Sequence, residues 1–150
     1  MKKTVFALTA LWTALGLAGG LAYREITKAA EFTGSTQLAV VHTHLLTLGT
    51  IIGFVLLVLE QVFRLSRYRR TMVAGLITWN LGLVITSTMM AFHGVQQIDG
   101  VASTPMTAGI SGLGHMLLTT GFVLFFVALG RRVVLDKDVA PTAAATPVMG

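Results

Sequence analysis

The sequence predicts an all-α membrane protein of four transmembrane helices with both N- and C-termini cytoplasmic. Three observations predict it: four long uncharged runs, a composition too apolar for a water-soluble chain of this size, and basic residues gathered in short clusters between the runs. Of 150 residues, 54% are hydrophobic and only 11% charged, so the excess apolar surface must face lipid. The uncharged runs are Thr4 to Tyr23, Phe32 to Leu59, Thr71 to Ile98 and Gly100 to Gly130, of 20, 28, 28 and 31 residues. Roughly 20 residues suffice to cross a bilayer. Continuous apolar character without period-two alternation points to helices, because a lone segment in lipid can satisfy its backbone no other way.

The first span, residues 4–23, follows Lys2 and Lys3. A basic start, an apolar stretch and the small residues LAGGLA could also read as a cleaved signal peptide, but the run is long for one. The second, third and fourth spans are expected at 38–63, 71–93 and 105–130, which gives a transmembrane domain over residues 1–132. The tail over 133–150, ending APTAAATPVMG, has no periodic apolar pattern and is expected to be disordered in the cytoplasm.

Orientation follows from the basic residues. Lys2, Lys3, Arg64, Arg67, Arg69, Arg70, Arg131, Arg132 and Lys137 are nine of the eleven, and all fall on one side of the predicted spans. That side is the cytoplasm, and the setting is the bacterial inner membrane. The net charge of +5 therefore records topology and not a nucleic-acid surface. The chain has no cysteine, which excludes disulfides, thiolate zinc sites, iron–sulfur clusters and covalent haem attachment.

The four histidines carry the chemistry. Counting back from His115, His44, His42 and His93 to the nearest basic flank gives heights of roughly 24, 30, 33 and 34 Å. Three helices thus bring every imidazole toward one face of the membrane. An ionisable group deep in a span is a functional candidate, and His115 is the clearest. His93, beside Gly94, could simply sit wet at the interface. His42 and His44, at i and i+2, point about 200° apart and cannot chelate one ion, so they ask for two sites or for one site repeated around a symmetric assembly. Gly49 and Gly53 follow on the His42 face and leave room for a flat macrocycle, although small residues so spaced also serve helix–helix contacts.

Haem b is the cofactor expected on His42 and His44, with His115 and His93 as alternative iron ligands, and Arg24 and Lys28 placed to meet its propionates. Cu or Zn on the same histidines is the second reading. Met89 and Met116 would favour Cu(I), although methionine more often fills helix interfaces. The third reading is a structural or assembly subunit without cofactor. Glu60 is expected to snorkel to water or to pair with Arg64. No nucleophile triad, phosphate loop or carboxylate pair appears.

The stretches AYREITK (Ala22 to Lys28), FTGSTQLAVVHTHLLTLG (Phe32 to Gly49) and GISGLGHMLLTTG (Gly109 to Gly121) resemble an uncharacterised family of bacterial four-helix membrane proteins, known only as a domain of unknown function. That resemblance covers the chain to about residue 132 and implies a fold but no activity. More distantly, His-x-His followed by Leu and Gly resembles the helix of haem–copper oxidase subunit I that gives one histidine to each of two haems. This likeness implies a homotrimer of four-helix arcs, with His42 of one protomer and His44 of the next holding haem, and electron transfer with a redox partner or quinol, or binding of a small gas. The oxidase copper-site motif His-Pro-Glu-x-Tyr is missing, which argues against oxidase chemistry itself.

Overall fold

The computed structural model describes residues 1–135, and every regular element among them is helical. We label the long helices α1 (Lys2–Ala29), α2 (Leu38–Phe63), α3 (Arg69–Ile98) and α4 (Pro105–Gly130). All four are long and apolar enough to cross a membrane, the architecture of a multi-pass membrane protein. Lys137 and most of the tail expected to be disordered lie outside the described residues.

Two helices outrun their predicted spans. α1 continues six residues past Tyr23 and α3 five past His93, because charged and amide side chains end an apolar stretch without breaking a helix. The ends have local causes. Glu31, at φ 49°, turns the chain out of α1, and Gly100, at φ 71°, turns it out of α3. Thr104 caps α4, its hydroxyl and that of Thr107 each accepting from the other's backbone N–H, with Pro105 at the first helical position. Between α2 and α3, Arg64 takes the left-handed conformation, φ 51°. The Glu60 carboxylate accepts the backbone N–H of Ser66 at 2.8 Å. Glu60 is only 5% exposed, so it neither snorkels nor ion-pairs with Arg64 as expected. Its role is to close this connection.

One departure from α geometry lies inside α2. Leu45–Ile51, immediately after His44, form a π segment with i→i+5 bonding, and α-helix resumes at Ile52. The end of the bundle opposite the histidines collects the basic clusters: Lys2 Nζ donates to Gln61 Oε1, Arg132 Nε donates to the Phe63 carbonyl, and Arg131 stacks over Tyr68.

Small residues fix how the helices meet. A methyl group added at Gly82 of α3 would come within 2.7 Å of the Leu118 nitrogen and 2.8 Å of the Gly114 oxygen on α4. Gly114 lies as tightly against Thr86, and Gly121 against Trp79. These antiparallel contacts recur every seven residues on both helices, and Trp79 stacks edge-on with Phe122 at 4.4 Å between ring centroids. α1 meets α2 in the same manner, with Gly49 against Trp12 and Gly53 against Thr9. Gly94 of α3 abuts the backbone of Leu38 in α2. The resulting order is α1 on α2, α2 on α3 and α3 on α4, with no substantial contact between α1 and α4. The four helices form an open arc and not a closed bundle.

Gly49 and Gly53 are therefore no free surface for a macrocycle, because the Trp12 and Thr9 side chains fill the space that their missing Cβ atoms leave. Gly82→Ala is expected to cost about 1–3 kcal/mol, since backbone must move on the neighbouring helix. Gly109→Ala, with open space at its Cα, should be neutral or slightly stabilising. Thermal unfolding of both variants in one detergent checks the contrast.

Candidate functional site

The arc distributes the histidines over three different contacts. His42 faces α1, where the sequence supplies a bare platform: a methyl on Gly20 would stand 3.6 Å from the His42 ring and one on Gly19 would stand 3.8 Å from its Cβ. The His42 Nδ1 is buried there with no hydrogen-bond partner. His44, two residues on and half-buried, lies on the other side of α2, within electrostatic range of His115 of α4. Each of the two is thus attended by a helix of its own chain.

His93 is 6% exposed and its Nε2 has no partner, so it does not sit wet at the interface. The register that pairs Trp79 with Gly121 and Thr86 with Gly114 puts position 93 opposite position 107, in the α3–α4 seam. Close packing there excludes the water that a helix end usually meets. Shared height along the helices does not become a shared site for all four imidazoles: among the described residues no three His, Asp or Glu side chains converge as metal ligands.

His44 and His115 are the two imidazoles that lie within electrostatic range of each other. His115 is exposed, and its Nδ1 stands 3.0 Å from the Ser111 carbonyl oxygen one turn earlier on α4. A carbonyl can only accept, so Nδ1 carries the proton and Nε2 is left with its lone pair free. A helical backbone carbonyl orients the ring, as carbonyls behind metal-bound histidines do. Beside it, Gly112 and Gly109 have open space where side chains would stand. The side-chain-free surface expected near Gly49 and Gly53 is found on α4 instead.

Arg24 and Lys28 do not reach this pair. Both lie on α1, on the far side of α2 from α4, and Arg24 is engaged with Glu25 at 3.1 Å on the exposed end of its helix. Met116 is 69% exposed and next to His115 in sequence, about 100° away around the helix. The sequence contained the signals for the His115 orientation, a serine four residues before it and a run of glycines, but the carbonyl contact depends on a ring rotamer that spacing does not specify. The π segment beneath His44 had no signal at all.

A four-helix arc bearing an intramembrane-type histidine pair defines a class of apolar helical proteins without an extended soluble domain among the described residues. The chain belongs to the family described as "Protein of unknown function (DUF2871)", whose model matches residues 1–132. No curated protein and no solved structure matches it. The His115 ring assignment is open to measurement: ¹⁵N spectra of histidine-labelled apoprotein should place His115 in the Nδ1–H tautomer. An Nε2–H signal assigned through a His115→Gln comparison would contradict the geometry.

Proposed function

We propose that this chain is a b-type haem protein of the bacterial inner membrane, with its basic end in the cytoplasm, and that His44 and His115 are the axial ligands. The observation that carries the reading is the His115 imidazole, its Nδ1 tied to the Ser111 carbonyl, with His44 of α2 within electrostatic range. A haem iron takes four of its six ligands from the porphyrin, so two imidazoles complete it. Tetrahedral zinc asks for three or four protein ligands, and the described residues gather two here. This favours haem over the Zn alternative. The bound group would supply one-electron transfer, with a redox partner or quinol, or binding of a small gas. The chain's own contribution is to present two imidazoles, orient one ring by a backbone carbonyl, and keep Gly112 and Gly109 clear for a planar ligand.

A second arrangement of the same function is favoured by one further observation, the buried and unpartnered Nδ1 of His42. In a homotrimer of open arcs, each α2 could offer His42 to one neighbour and His44 to the other, as the likeness to one four-helix arc of haem–copper oxidase subunit I suggests. That ring would need His42 to leave the Gly19–Gly20 platform. The two arrangements share His44 and differ in its partner.

Protein from haem-replete cells is expected to show a Soret band and a sharp reduced α band, with one haem per chain by pyridine haemochrome. His44→Ala and His115→Ala should each abolish the bis-histidine spectrum, while His42→Ala leaves it intact. Loss on His42→Ala with retention on His115→Ala would favour the trimer. A folded, colourless preparation would overturn the haem reading.

A further inference from the structure

A large groove lies away from the histidines. It measures about 1100 Å³ between α1 and α3, floored toward the histidine end by Val41 and Leu45 of α2. Its α3 wall runs from Arg69 to Ala91, about 33 Å at the helical rise per residue and close to the hydrocarbon thickness of a bilayer. Leu8, Leu11 and Leu15 of α1 face it across from Ile77 and Leu81 of α3. Three polar side chains along the walls are already engaged: Trp12 Nε1 donates to Asn80 Oδ1 at 2.7 Å, Asn80 Nδ2 to the Leu76 carbonyl, and Ser87 to the Leu83 carbonyl. The length of the groove therefore offers an occupant apolar contact and little else.

One end differs. Arg69 lines the mouth and makes no ion pair among the described residues. It stands in the Arg64, Arg67, Arg69 and Arg70 cluster, with Lys2 and Lys3 at the start of the facing wall. The one described acid at this end, Glu60, is buried and occupied by the Ser66 N–H. An apolar channel with the Arg69 guanidinium at a single mouth complements a molecule that is long, apolar and anionic at one end. A second copy of the chain fits it poorly. Copies in one membrane share an orientation, so an inserted helix would bring its own basic end against this one.

We infer that the α1–α3 groove binds an anionic phospholipid, acyl chains along the groove and phosphate at Arg69. Four clustered basic residues next to a membrane span are suited to such headgroups, each worth about 1 kcal/mol near an anionic surface. Val73 lies one turn inside the mouth and also lines the groove, so a larger side chain there obstructs the chains without altering charge.

Native mass spectrometry of the full-length protein, with added phosphatidylglycerol or phosphatidylcholine, tests the assignment. Wild type should retain phosphatidylglycerol preferentially. Arg69→Ala should lower that preference roughly fivefold, the equivalent of one basic residue, and Val73→Trp should reduce retention of both lipids. Circular dichroism and gel filtration confirm that each variant is folded. Equal retention of the two lipids by wild type would overturn the proposal, as would unchanged phosphatidylglycerol binding in a folded Val73→Trp. An oligomer that Val73→Trp dissociates, with no lipid bound to wild type, would overturn it in favour of a second copy.

Discussion

The close approach of backbones at glycine is the interaction on which the rest of the structure depends. Between helices that both face lipid, burial of apolar side chains gives no net drive to associate, because lipid tails are as apolar as leucine. What remains is van der Waals contact and hydrogen bonding at short range, and both need small residues at the contact. Gly82 and Gly114 bring α3 and α4 together, Gly49 and Gly53 do so for α1 and α2, and Gly94 for α2 and α3. Each contact joins neighbours in sequence, and no such seam joins α1 to α4. The open arc is what these glycines specify.

The arc in turn decides what the histidines do. With α1 and α4 attached to different sides of the central pair, His42 and His44 meet different helices. The 200° between i and i+2 positions thus separates a ring packed on glycine from one opposite another imidazole. His93 falls into the α3–α4 seam, where packing buries it. Buried polar atoms left without partners include His42 Nδ1, Thr86 Oγ1 and His93 Nε2, and Thr86 lies directly against Gly114, where α3 and α4 approach closely. Close contact there leaves no space for a second polar group.

Much of this was legible in the sequence. Helix number and approximate limits follow from the uncharged runs, although helical backbone continues past Gly130 through a π segment at Arg131–Leu135. The overshoot of α1 to Ala29 was not legible, because hydropathy marks the edge of the hydrocarbon and not the end of the helix. For the site, residue type and height were readable and neighbours were not. Gly49 and Gly53 look alike whether a cofactor or Trp12 and Thr9 cover them. The choice depends on which helix lies alongside, and that is a property of the whole arc. The α1–α3 groove escaped notice for the same reason, since its walls are far apart in the chain.

The π segment of α2 begins immediately after His44 and contains Gly49, with Gly53, the next glycine held against α1, just beyond it. It works as a register joint. One surplus residue is held in a wide turn, and drawing it into regular α-helix would rotate everything on one side of it by about 100° relative to the other. With Gly53 held against Thr9 of α1 beyond the segment, that rotation falls on Leu38–His44, changing what His42 and His44 face. A single turn of backbone therefore sets the azimuth of both imidazoles together, without any change in how the lower half of the arc is packed.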